Sequence, residues 1–267
     1  MTFAGDPSRH ILPLVRDIAE EAGRLAMRYF QSGLATSARI WSKAGGSPVT
    51  EADVEVDTFL KIRLSAMLPE AGWLSEETAD NPRRLGRGFV WIVDPIDGTR
   101  AFLAGNPDWS IAIGLLVDGE PALGVLHAPA HETLYEAMRG GGAFRNGHAI
   151  SVSGARDLSR ASVAGPGLLV DRLARRHPDI HRAPRIPSLA LRIARVAEGS
   201  VDLGLISANA RDWDIAAADI ILQEAGGTLV DARSGVPAYN RPEPVHGELL
   251  AVPRELQADL IGAITAP

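Results

Sequence analysis

The chain has 267 residues, 46% of them hydrophobic, and a mean hydropathy of +0.02; it can bury the core of one or two domains and is not a disordered tail protein. With 27 basic against 33 acidic side chains the net charge is −6, which argues against binding nucleic acid by bulk positive charge. Cysteine is absent, which excludes disulfides, thiolate zinc sites and cysteine nucleophiles. No run of about 18 apolar residues exists, and Met1 to His10 lacks the basic-then-apolar layout of a signal peptide. A cytoplasmic protein without membrane contact is expected.

Ile11, Leu14, Val15, Ile18, Ala22, Leu25, Ala26 and Tyr29 recur at helical spacing and predict a helix over residues 11–30, stopped by Gly33. A loop with Lys43, Gly45, Gly46, Ser47 and Pro48 follows. Thr50 is placed to cap a second helix reaching residue 68, with Val54, Val56, Phe59, Leu60, Leu64 and Met67 as its candidate buried face. After a loop at 80–88, residues 89–93, 109–117, 122–126 and 133–138 read as successive strands, with Asp118-Gly119 and Asn146-Gly147 as tight turns. The weak stretch 153–162 marks a join. Residues 1–153 are expected to form an α+β half with an antiparallel sheet, and 154–267 an α/β half. In the second half, 188–198 predict a helix, 201–206 a strand, 212–225 an Ala-rich helix ended by Gly226-Gly227, and 228–230 a strand. The expected fold class is a mixture of α+β and α/β.

The sharpest chemical signal is Trp91-Ile92-Val93-Asp94-Pro95-Ile96-Asp97-Gly98-Thr99. A buried strand is expected to end at Asp94, Pro95 bends the backbone, and Asp97 supplies a second carboxylate. Two carboxylates at the end of a buried strand repel each other unless a cation lies between them. Oxygen donors without cysteine or a clear histidine pair favour Mg²⁺ over Zn²⁺. Gly98 permits close backbone approach, and amides at a turn-to-helix start suit a phosphate. The same residues fit an ordinary strand-terminating turn with aspartate caps, and spacing alone does not choose. Glu76-Glu77 follow Trp73-Leu74 at another strand end, where a solvated face is the ordinary reading. Asp53 suits the first turn of a helix through the helix dipole. Asp212 fits the N-cap of the helix that continues Ile215-Ala216-Ala217-Ala218, which leaves Asp214 as the acid without a structural explanation.

Four segments in order, Ser47-Pro48-Val49-Thr50-Glu51-Ala52-Asp53, Leu74-Ser75-Glu76-Glu77-Thr78, Asp94-Pro95-Ile96-Asp97-Gly98-Thr99, and Trp213-Asp214 with Glu224-Ala225-Gly226-Gly227, resemble the inositol monophosphatase superfamily of Mg²⁺-dependent, lithium-sensitive phosphatases. The resemblance implies a layered αβαβα sandwich, a homodimer, a small phosphorylated substrate and two or three Mg²⁺ per active site. By it, Glu76, Asp94 and the carbonyl of Ile96 would hold one ion. Asp94, Asp97 and Asp214 would hold a second, and Glu76 would help with a more hydrated third. The amides of Gly98 and Thr99 would receive the phosphate. Thr99 with Asp53 would orient and help deprotonate the attacking water, while Glu77 would assist without ligating. Two cations roughly 4 Å apart stabilise the attacking and leaving oxygens of an in-line displacement, so direct attack by water is implied.

Substrate preference is less sharply marked. Arg100 and Asp108 resemble the 3'(2'),5'-bisphosphate nucleotidase branch, where Arg100 would meet a second phosphate with paired donors; taken alone, Arg100 fits an exposed loop equally well. Ser207 stands where inositol-specific members carry a glutamate, and Ser188 begins the substrate-side helix, with Arg192 free to point either way. The reading leans to adenosine 3',5'-bisphosphate, with inositol-1-monophosphatase close behind and a sugar bisphosphatase third. A non-catalytic regulatory binding protein on the same fold is the rival from another class. His177 and His181 are separated by Pro178, so no zinc site is expected there, and Gly140-Gly141-Gly142 lacks the Gly-Lys-Ser/Thr of a phosphate loop.

Overall fold

In the computed structural model, which describes residues 6–43, 45–231 and 235–265, helix α1 (Ser8–Met27) buries Ile11, Val15, Ile18, Ala22 and Ala26. Leu14, expected on that face, points outward. Strands β1 (Ile40–Ser42) and β2 (Pro48–Thr50) pair antiparallel and lead into α2 (Glu51–Met67). Thr50 caps α2 as expected: its hydroxyl accepts from the Asp53 amide while the Asp53 carboxylate accepts from the Thr50 amide, a reciprocal capping box. Val56, Leu60 and Leu64 are buried, whereas Val54 is exposed, in a surface groove with Trp41 and Ile62.

The first large sheet runs in chain order: β3 (Gly72–Ser75), β4 (Phe89–Asp97), β5 (Ser110–Val117), β6 (Glu120–Ala128), β7 (Thr133–Met138), β8 (Ala143–Arg145) and β9 (His148–Ala149). Only the β3–β4 pair is parallel. A short helix α3 (Thr99–Leu103) follows β4. Both predicted tight turns join strands: Asp118-Gly119 has φ of 51° and 83°, and Asn146-Gly147 has 48° and 77°, the left-handed pairs that hairpin twist requires. Trp91 and Val93 pack toward α1 and α2, while Val90 and Ile92 pack on the opposite face, so every position of β4 after the half-buried Phe89 is buried on one side or the other.

The second sheet comprises β10 (Ser162–Ala164), β11 (His181–Arg182), β12 (Leu203–Ile206), β13 (Gly227–Asp231) and β14 (Leu249–Pro253), in the order β11-β10-β12-β14-β13. The first three are mutually parallel, and β14 is antiparallel to both its neighbours. Helices α4 (Gly167–Ala174), α5 (Leu189–Ala197), α6 (Asp212–Glu224) and α7 (Gln257–Thr265) complete the chain. Three apolar clusters lie between successive layers: α1 and α2, the seven-stranded sheet, α5 and α6, the five-stranded sheet, then α4 and α7. This is an αβαβα sandwich. The expected join at 153/154 falls between the two sheets, and the central helices pack on both of them. No described helix is long and apolar enough to cross a membrane.

Helix α6 sits unusually close to the first sheet. Gly114 and Gly124 face each other across β5 and β6, and a Cβ on Gly124 would lie 2.3 Å from the Ala217 carbonyl oxygen. The Ala-rich face of α6 fills that space. Gly124→Val is therefore expected to push α6 outward, costing about 1–3 kcal/mol and lowering Tm by roughly 3–10 °C. Thermal denaturation followed by circular dichroism checks it.

Candidate active site

Strand β4 does not stop at Asp94, as the sequence suggested, but continues through Asp97. Residues three apart on a regular strand face opposite sides. Here Asp94 pairs with Ala112 and Asp97 with Ser110, so one extra residue is accommodated on β4 as a bulge. Pro95, which has no N–H to give the ladder, sits inside it. The bulge brings both carboxylates to one place, and the Asp94 carboxylate accepts from the Ile96 amide at 3.0 Å. With Asp214 of α6 they form a cluster in which each residue offers an oxygen within 4.8 Å of the others.

Asp97 is also gripped by the second half of the chain. The Ser188 hydroxyl donates to it, as do the amides of Ala190 at 2.8 Å and Leu189 at 3.2 Å, the first amides of α5. The carboxylate thus lies at the positive end of a helix dipole. Ser188, expected near substrate, is fully buried behind Asp97 and accepts from the Leu191 amide as the N-cap of α5. Its hydroxyl is committed to holding Asp97.

Asp212 is not the N-cap expected of it, while Asp214 stands in the cluster. The N-cap of α6 is Arg211, whose amide donates to Asp214 at 2.7 Å, so Asp214 completes the helix start while keeping one oxygen for the cluster. Asp212 is one residue further in and completely buried, held by His246 Nε2 at 2.7 Å and by the Asn240 amide at 2.7 Å. Asn240 in turn accepts from Arg84 at 2.6 Å, and Arg84 pairs with Asp80. A buried polar chain therefore runs from the loop after β3 to the start of α6.

Asp53 is buried, and its second oxygen lies 3.4 Å from the Thr99 hydroxyl, which also reaches the Ile96 carbonyl at 3.2 Å. Asp53 thus sits in the first turn of α2 with one carboxylate oxygen on Thr50 and the other toward Thr99. Glu76 and Glu77 leave the end of β3, where Asp57 of α2 accepts from the hydroxyls of Ser75 and Thr78 and fixes the turn. Both glutamates receive the ammonium of Lys43, at 2.7 and 2.6 Å. Lys43 carried no signal beyond its place in a Gly- and Ser-rich loop, and nothing local marked His246. Ser207 is exposed and lines a cavity of about 270 Å³ together with Asp214, Leu189 and Arg192. Arg100 is exposed on α3 and is not one of the residues lining that cavity.

So many acids in one buried place hold their protons tightly. Burial first, then the charges of Glu76, Asp97 and Asp214, raises Asp94 well above the ordinary carboxylate range. Burial likewise raises Asp97, although the bonds from Ser188, Ala190 and Leu189 pull it back. Asp214 is pushed up to about 8 and Glu77 to about 7, in both cases chiefly by burial. Asp53 rises to about 6, with the bonds from Thr50 opposing its burial. A cation placed among these groups would relieve their repulsion.

The profile of the inositol monophosphatase family matches residues 9–266. A histidinol-phosphatase of Chlorobaculum parvum is 34% identical over 265 residues, covering 95% of this chain and 96% of the relative. A 3'(2'),5'-bisphosphate nucleotidase of Aggregatibacter actinomycetemcomitans is 32% identical over 250 residues, 88% of this chain and 89% of that one. Among solved structures, the extragenic suppressor protein suhB of Bartonella henselae has a TM-score of 0.83 at 27% identity, covering 96% of this chain and 98% of its own. Matched along nearly its whole length in sequence and in layer order, the chain belongs to the inositol monophosphatase family.

Proposed function

We propose that this phosphoric monoester hydrolase works with Mg²⁺ and hydrolyses a small phosphate ester by direct attack of water. The observation that carries the reading is the meeting of the buried Asp94 and Asp97 with the half-buried Asp214 beside the Asp53–Thr99 pair. The donor set fits Mg²⁺: every side chain in the cluster offers oxygen, and cysteine is absent from the chain. Asp94, Asp97 and Asp214 would hold one ion between them, with Glu76 and the Ile96 carbonyl on the side toward β3. When bound, Mg²⁺ supplies the positive charge that offsets the ester's roughly two negative charges and stabilises the leaving oxygen.

The protein's own groups do the rest. Asp53, through the Thr99 hydroxyl, accepts a proton from the attacking water as its oxygen forms the new bond to phosphorus. The ester P–O bond breaks, and the departing alkoxide is protonated from solvent. Gly98 adopts φ of 91°, and a Cβ there would come within 3.1 Å of the Asp108 carbonyl and 3.3 Å of Ser188. Without a side chain, its amide and that of Thr99 are left open to the phosphate. Glu77, half-charged near neutral pH and bonded to Lys43, assists from the β3 side.

Thr99→Ala is expected to fold normally and to lose roughly 10²–10³-fold in kcat, since it breaks the link between water and Asp53. Hydrolysis in ¹⁸O-labelled water should place one solvent oxygen in the released phosphate, with no trapped phosphoenzyme and no turnover after chelation. A stable phosphoenzyme, or turnover that survives chelation, contradicts the proposal.

A further inference from the structure

The cavity shared by Asp214 and Ser207 has a second one beside it. Pro166 and Arg192 line both, and the second, of about 460 Å³, carries Arg182 and Arg185 as well. Among the described residues no acidic side chain lines it. The sign of the charge therefore reverses across a common wall, from the carboxylates around Asp97 and Asp214 to three guanidinium groups.

These arginines differ in how they are used. Arg182 is paired with Asp171 at the rim. Arg192 donates from Nη1 to the Leu205 carbonyl at 3.1 Å and from Nη2 to the Ile186 carbonyl at 2.8 Å, which fixes its plane, yet its buried Nε–H has no acceptor. Neither Arg192 nor Arg185 has a carboxylate partner within ion-pair distance among the described residues. Burial and the facing Arg185 both work against the Arg192 charge, and only Asp97 favours it. Helix α4 begins at Gly167 on the same cavity, with no side chain capping its first amides. Two guanidiniums without a carboxylate partner among the described residues, beside an open helix start, describe a place for an anion.

We propose that this cleft is a second anion subsite and that the substrate is a small bisphosphorylated molecule, with one phosphate at the carboxylate cluster and the other between Arg185 and Arg192. This rests on the phosphatase reading above and supplies its substrate class. It moves the second phosphate from Arg100, which lies off the cavity, to the far side of Asp214. It also disfavours a cationic substrate: histidinol phosphate carries an ammonium group, which an arginine wall repels.

The test compares kcat/KM, with Mg²⁺, for adenosine 3',5'-bisphosphate against adenosine 3'-monophosphate, and for fructose 1,6-bisphosphate against fructose 1-phosphate, with histidinol phosphate alongside. In at least one pair the bisphosphate is expected to lead by about tenfold or more, through KM, and the pair that shows it tells a nucleoside scaffold from a sugar. Arg185→Ala should bring that ratio close to one, Arg185→Lys should restore part of it, and Arg9→Ala, an exposed arginine on α1, should keep the wild-type ratio. Equal kcat/KM within both pairs overturns the proposal, as does fastest turnover of histidinol phosphate or an equal loss on both members in Arg185→Ala. If no ester is hydrolysed, the phosphatase reading falls and calorimetric binding judges the cleft by itself. Tenfold tighter binding of a bisphosphate that Arg185→Ala removes upholds the subsite; equal affinities overturn it.

Discussion

Asp94→Asn is expected to lose Mg²⁺-dependent turnover by at least about 10³-fold while remaining folded. Asparagine keeps an oxygen to accept the Ile96 amide, so the bulge in β4 retains its internal bond. What disappears is one negative charge from the centre of the cluster. In the metal-free protein that charge is a burden, because burial and the charges of Glu76, Asp97 and Asp214 all oppose it. The variant should therefore unfold at a higher temperature than the wild type without metal near pH 8, and gain less from added Mg²⁺. Opposite movements of stability and activity separate a lost ligand from a damaged fold. Near-normal Mg²⁺-dependent rates in Asp94→Asn would remove the cluster from the mechanism.

How much of this was legible depended on how far each group reaches along the chain. The elements were readable because periodicity and turn residues are local: the Thr50 cap, the two Gly turns and the α5 span all lie within a few residues of their cause. The four acidic motifs were readable as types, since an apolar strand running into Asp94 and Asp97 has few structural uses. Their mutual placement was not. Ser188 grips Asp97 from 91 positions away, and no pattern in either segment announces it. Continuation of β4 past Pro95 required the bulge, which is settled by the neighbouring strand. The move of the α6 cap from Asp212 to Arg211 has the same origin. An aspartate before an apolar run reads as an N-cap, but His246 lies 34 positions away and claims Asp212 for the interior, shifting the helix start to Arg211. The arginine cleft is assembled from β11, the loop after it and α5, and so only Arg192 stood out in the sequence, without a direction.

Metal-free protein should gain stability as the pH is lowered from about 8 to about 5, the reverse of what a typical set of ion-paired carboxylates produces. Asp53, Glu77 and Asp214 have folded-state values near 6, 7 and 8, above the ordinary values of 3.8 to 4.5 that apply when unfolded. Across that window these three groups bind more protons folded than unfolded; His127, lowered by burial, gives the opposite slope for a single group, and the net expectation is that stability falls as pH rises. The advantage is complete below the unfolded values and is lost as the pH passes through the folded ones. Carboxylates shifted the other way, such as Asp80, Glu198 and Asp202, are ionised in both states above about pH 5 and do not alter the slope there. Chelated protein is expected to melt at least about 5 °C lower at pH 8 than at pH 6, equivalent to roughly 1–2 kcal/mol for a chain of this size. Mg²⁺ should close the gap, because it binds the ionised cluster and competes with protons for it, so its stabilising effect grows with pH. Scanning calorimetry at both pH values, with and without Mg²⁺, reads all four states, and a metal effect that is the same at pH 6 and pH 8 would mean that these carboxylates do not hold the ion.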